Sequence, residues 1–240
     1  MTAVSWISRF FTSSIGKKVI MSLTGLFLIT FLAVHLAGNL QLLAGPSDGV
    51  ELGQAFNEYA YFMTTNPLIK FTSYGLYAFI LLHAIQGLIL WRQNMKARGD
   101  VRYAVKNDRV ASATKSSIWM GSLGTVILIF IIVHMVQFWA QMKFTDGVDE
   151  LTYAGADYPV RDLYKLVAGA FSNIWFVIFY VISMVFIAFH LVHGFESAFQ
   201  TLGLNHPKWS PIIKTVGRAY AILVPLGFAI IPIYMYFNQG

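Results

Sequence analysis

The stretch FIAFHLVHGFESAF, residues 186–199, carries His190 and His193 inside an otherwise apolar run. A run this apolar belongs in hydrocarbon, where an ionisable ring is costly and by default marks a functional position. The rest of the chain agrees. Of 240 residues, 57% are hydrophobic and only 12% charged, against roughly 25% charged in a soluble domain. Runs of about 20 apolar residues or more, enough to cross a hydrocarbon core of roughly 30 Å, recur at about 19–43, 67–91, 116–142, 166–200 and 212–237. The expectation is one all-α integral membrane domain over 1–240 with five transmembrane helices. The fourth run is longer than a span needs, which predicts a helix that is tilted or protrudes.

Charge orients the spans. Bases gather in the N-terminal segment (Arg9, Lys17, Lys18), in the second connection (Arg92 to Lys115) and around Lys208, Lys214 and Arg218. The acids Asp48, Glu51, Glu58, Asp146, Asp149, Glu150, Asp157 and Asp162 fall in the other two connections. The positive-inside rule then puts the N-terminus in the cytoplasm and the C-terminus outside. The net charge of +6 reads as topology, not as nucleic-acid binding. The first apolar run is longer than a signal-peptide core and is expected to be a retained helix. The segment before it, AVSWISRFFTSSIGKK, mixes Trp6, Phe10 and Phe11 with bases, as an interfacial amphipathic helix does. With no cysteine, the chain has no disulfides, cysteine-ligated clusters or covalent C-x-x-C-H haem attachment.

Five of the six histidines lie inside predicted spans; His206, beside Pro207 and Lys208, is a loop residue. At 1.5 Å per residue, His35 lies roughly 25 Å beyond Lys18 and His134 roughly 28 Å beyond Lys115. His83 is roughly 13 Å from Arg92, and His190 roughly 15 Å from Gln200. The helices therefore offer histidines at two levels. His35 and His134 form an outer pair on the first and third spans. His83 pairs at the inner level with His190 or His193, on the second and fourth. Four helices bundled around two stacked haems, each iron between two imidazoles, have this pattern. Such haems are non-covalent, hence b-type, and with both axial positions filled they suit electron transfer. Gly38, Gly87 and Gly194 follow the histidines by three or four residues and offer close approach to a porphyrin or to a neighbouring helix.

The ordered set SSIGKKVIMSLTGLFLITFLAVHLAGN, LLHAIQGL, IIVHMVQFW and FHLVHGFESAFQTLGLNHPK resembles the cytochrome b membrane anchor of succinate dehydrogenase and fumarate reductase, in its single-chain, five-helix, dihaem form. The resemblance runs through essentially the whole chain. It implies that His35 and His134 hold the outer haem iron, and His83 and His190 the inner one. It selects His190 because the family's fourth-helix ligand sits in a Phe-His-x-x-x-Gly setting, here Phe189, His190 and Gly194. His193 is left to bond a haem propionate or to pair with Glu196.

The resemblance further implies a subunit of a succinate:quinone oxidoreductase in a bacterial cytoplasmic membrane, multi-pass in the bilayer and without dicarboxylate chemistry of its own. A flavoprotein subunit with FAD and an iron–sulfur subunit would dock on its cytoplasmic face, with Arg98, Arg102, Lys106 and Arg109 as contacts. Anchors of this kind commonly sit in dimeric complexes. The chain would pass electrons to menaquinone near the outer haem, with Glu58 exchanging protons and Asn39 or Gln41 hydrogen-bonding the quinone oxygens. Two other classes fit paired membrane histidines: the dihaem anchor of a hydrogenase or formate dehydrogenase, and a haem-free transporter using histidines as a proton relay. The motif order argues against the former. The lack of inverted repeats argues against the latter.

Overall fold

The computed structural model describes residues 3–47, 49–98 and 108–238. A short helix α1 (Ala3–Thr12) leads into α2 (Ser14–Asn39). The hydroxyl of Ser13 separates them by accepting the amide of Gly16, which supplies the N-cap that a helix start needs. A 3-10 turn (Leu40–Leu43) follows, then α3 (Gln54–Thr65) and the long α4 (Pro67–Arg98). The third span is α5 (Asp108–His134), a π-helical stretch (Met135–Ala140) and a last α-helical turn, α6 (Gln141–Phe144). A two-stranded hairpin pairs β1 (Glu150–Leu151) with β2 (Val160–Arg161). Then come α7 (Leu163–Phe171), α8 (Ile174–Thr201) and α9 (Trp209–Phe237).

Five stretches are long and apolar enough to cross a membrane: Ser14–Leu43, Pro67–Ala97, Trp119–Phe144, Ile174–Thr201 and Trp209–Phe237. The chain is an all-α, multi-pass membrane protein. Its spans expose large apolar side chains, among them Leu81, Ile85, Ile132, Phe189 and Leu223, as a lipid-facing surface requires. The run expected as one helix over 166–200 is two. Asn173 leaves helical geometry (φ −94°, ψ 113°) and its side chain accepts the amide of Trp175. It thereby caps α8 and leaves α7 as a separate short helix. Part of the excess length is this break.

Helix packing closes a ring: α2 against α4, α4 against α5, α5 against α8, and α8 back against α2. The fifth span, α9, lies outside the ring on α8 and α2. The main apolar cluster lies at one end, where Leu42, Phe130, Phe171, Tyr180 and Ile231 meet.

That end is closed by a cap built on Asn57, which is 1% exposed. Its amide nitrogen donates to the Tyr153 hydroxyl (2.9 Å) and to Asp162 Oδ1 (3.1 Å), while its oxygen accepts the Tyr164 amide (2.8 Å). One side chain thus ties α3 to the loop after β1 and to the start of α7. Gly53 opens α3 at φ +82°, with the Tyr164 ring where a Cβ would stand. A left-handed residue under an aromatic ring has to be glycine. Arg161 donates to the Met142 carbonyl, Tyr61 stacks on Tyr158, and Lys165 pairs with Asp149 at 2.7 Å. This contact pulls the Asp149 carboxyl below and the Lys165 amine above their usual ranges. The pair therefore keeps both charges across the neutral range.

Candidate functional site: two histidine pairs in the helical ring

The four histidines of the ring meet across its diagonals. His35 of α2 faces His134 of α5 with ring centres 5.9 Å apart and planes crossed at 82°. His83 of α4 faces His190 of α8 at 6.2 Å and 71°. The two pairs lie at different depths. Gly25 stands beside the His83 ring, where a Cβ would come within 3.3 Å of Cε1. His35 is ten residues further along the same helix, about 15 Å of axial rise.

Each pair has its own surroundings. His35 stacks on Phe31 (5.2 Å) and touches Phe228 of α9; His134 lies among Phe130, Phe138 and Tyr180. Two rings are oriented from behind by hydroxyls. The Thr24 hydroxyl donates to the Ile20 carbonyl (2.8 Å) and lies 3.2 Å from His83 Nδ1. In the same way the Tyr180 hydroxyl donates to Gln137 Oε1 (2.8 Å) and accepts from His134 Nδ1–H at 3.3 Å. With the Nδ1 proton turned to these hydroxyls, Nε2 of each ring would keep a free lone pair, the usual preparation of a metal-ligating imidazole. The π-helical stretch begins directly after His134 and re-aims the residues beyond it. Gln137 meets Tyr180, and Trp139 donates to the Tyr77 hydroxyl of α4 (2.9 Å).

His35 differs. The Asn39 amide donates to the His35 carbonyl (2.7 Å) and also lies 3.3 Å from Nδ1. Ligation through Nε2 of His35 therefore requires Asn39 to release Nδ1. At the inner pair, His190 Nδ1 and Gln86 Oε1 are buried without a hydrogen-bond partner, the only such side-chain atoms among the described residues. Gln86 is one turn beyond His83. Buried polar atoms are nearly always bonded, so two orphans at one level mark a place where the chain's own hydrogen bonds do not close.

These residues fit two haems. A metal–imidazole bond of about 2.0 Å, plus about 1.1 Å from nitrogen to ring centre, sets two axial imidazoles about 6 Å apart centre to centre. Both pairs have that spacing. No group of three or more metal-binding side chains occurs among the described residues. Each pair could offer two positions around a metal, and a macrocycle such as porphyrin would supply the other four.

The remaining residues singled out from the sequence are placed as follows. His193 is half-buried on α8, and the Glu196 carboxylate is engaged by Lys214 of α9 (2.7 Å) and by Gln200 (3.2 Å). Gly38 is covered by the Tyr59 ring and so packs α3 against α2, whereas Gly194 meets nothing within 4 Å. Glu58 accepts from Gln54 (2.8 Å) on α3, Asn39 is committed to His35, and Gln41 lies half-buried in the 3-10 turn. His206 sits in the loop before α9 and accepts the Lys208 amide. Arg102 and Lys106 lie outside the described residues, as do the side chains of Arg98 and Arg109. Thr24, Gln86, Gln137 and Tyr180 were not singled out from the sequence. A hydroxyl or amide on a membrane helix has no signature beyond its polarity, and its partner is distant in the chain.

Fold and site define a class: a multi-pass helical membrane protein with two histidine pairs at different depths inside a four-helix ring. Comparison with family models, with curated proteins and with solved structures finds no match to the chain.

Proposed function

We propose that the chain is the dihaem cytochrome b anchor of a bacterial succinate:quinone oxidoreductase. In this reading it carries electrons between a cytoplasmic iron–sulfur subunit and menaquinone. The observation that carries the reading is the double diagonal pairing, His35 with His134 and His83 with His190, at the spacing of axial ligands and at two depths. Bound haem supplies a one-electron carrier at each level. The protein's part is to hold four imidazoles in place, to surround the outer pair with phenylalanine rings, and to exclude water. Thr24 and Tyr180 hold the rings from behind. The identity of the complex rests on the resemblance in the ordered motifs. FAD and dicarboxylate chemistry would reside in the flavoprotein partner, docked with the iron–sulfur subunit on the basic, N-terminal side.

A reduced-minus-oxidised spectrum with haem quantified per polypeptide tests the site, with about two b-type haems per chain expected. A haem-free chain would refute the proposal. Co-purification of a flavin-bearing subunit separates this anchor from one serving a hydrogenase or formate dehydrogenase.

Tyr180→Phe gives a finer test. The hydrogen bond behind an axial imidazole strengthens its donation to ferric iron, so losing it raises the midpoint potential of the outer haem. The expected rise is on the order of tens of millivolts, with the inner haem unmoved. A redox titration in which both haems shift together, or neither does, would count against the Tyr180 contact.

A further inference from the structure

Arg218 lies nine residues into α9 and is exposed on its surface. Tyr220 donates to the Ile29 carbonyl, and seven residues further along both helices a Cβ on Gly227 would meet Leu36. The helices α9 and α2 therefore run parallel and in step, which puts Arg218 level with Phe27. That is nine residues, about 13 Å, further into the span than Lys18. Beyond Arg218 the helix carries no charge over residues 219–237, a rise of about 28 Å that equals the thickness of a hydrocarbon core. Arg218 thus stands where hydrocarbon gives way to headgroups, and a guanidinium there is costly without an anion. Lys214, one turn earlier, has such a partner: it holds Glu196 of α8 at 2.7 Å. Among the described residues no carboxylate pairs with Arg218. On the apolar side, Ile222 and Leu226 follow it at four-residue steps along one helix face, and both are exposed.

We propose that Arg218 binds the phosphate of an anionic phospholipid from the leaflet on the N-terminal side, with the acyl chains lying along Ile222 and Leu226. The guanidinium presents a planar fork of donors that takes two phosphate oxygens at once. Side chains in a helix lean towards its N-terminus, so Arg218 reaches towards the headgroups and away from the uncharged stretch. Glu196 offsets the charge of Lys214. The charge of Arg218 is left over, and it selects an anionic headgroup over a zwitterionic one. The site lies on α9, outside the ring, and is independent of the haem reading.

The full-length chain, stripped of lipid in a neutral detergent, is titrated with dioleoylphosphatidylglycerol, dioleoylphosphatidylcholine or glycerol 3-phosphate, and adducts are read by native mass spectrometry. The first phosphatidylglycerol is expected to bind about tenfold more tightly than phosphatidylcholine, and glycerol 3-phosphate to give no adduct. Arg218→Gln should weaken phosphatidylglycerol binding about tenfold, to the level of phosphatidylcholine. Arg218→Lys should fall between, because it keeps the charge and loses the fork. Lys18→Gln, on the same side but outside the site, should stay within about twofold of wild type. Equal binding of the two lipids to the wild-type chain would overturn the proposal, and that comparison needs no variant to fold. Wild-type affinity in Arg218→Gln would overturn it too, and if a co-purifying protein were lost at the same time, Arg218 would be a protein contact. An equal loss in Lys18→Gln would mean a diffuse surface charge, and an adduct with glycerol 3-phosphate that competes with lipid would mean a site for soluble phosphates; either result refutes the lipid site.

Discussion

Replacing His190 by alanine is expected to lower the haem content from about two to about one per chain, while His193→Ala keeps both. The two residues are one helical turn apart, yet only His190 faces a second histidine, His83 at 6.2 Å. On the dihaem reading, removing it would leave His83 as a single axial ligand at a site where Gln86 Oε1 already lacks a partner. The outer pair is about 15 Å away and shares no hydrogen bond with the inner one, so its haem should persist. His83→Ala should reproduce the His190→Ala spectrum, and His35→Ala or His134→Ala should remove the complementary component. Retention of both haems in His190→Ala with loss in His193→Ala would reassign the ligand. Loss of both in every variant would show a single cooperative site and contradict the two-level reading.

Asn57→Leu should be the most damaging change outside the ring. Leucine is similar in volume but leaves the Tyr164 amide, the Asp162 carboxylate and the Tyr153 hydroxyl each short of a partner in the cap. Unsatisfied buried groups cost about 1–3 kcal/mol each, and with partial rescue by water the net loss is about 3 kcal/mol. A local loss of that size raises the open population of segment 145–162 about a hundredfold, read as faster limited proteolysis there with haem absorbance unchanged. Cleavage at the wild-type rate would show that the hairpin and the Asp149–Lys165 pair hold the cap without Asn57.

The all-α, five-span architecture was legible in composition and run length, because a bilayer demands about 20 apolar residues per crossing whatever the neighbours are. Histidine depth was legible for a related reason: the fixed rise of a helix converts sequence position into height. Depth grouped His35 with His134, and His83 with the fourth span. Between His190 and His193, which differ by less than 5 Å in height, depth is silent. The choice depends on which side of α8 faces α4, and a helix that is apolar all round carries no stripe to say so.

The break at Asn173 was written in the sequence as a capping residue inside an apolar run, and was hidden by the hydropathy on both sides. Asn57, Thr24, Gln137 and Tyr180 were beyond reach for a different reason. Each acquires its role from a partner 43 to 107 residues away, and no local pattern encodes such a contact. The sequence by itself determined that the chain is helical, crosses the membrane and carries histidines at two heights, since those follow from one-dimensional length and polarity. Only the tertiary structure decided which imidazoles face each other across the ring and which hydroxyls stand behind them. Those facts depend on the rotation of each helix about its own axis, which packing sets and hydropathy does not.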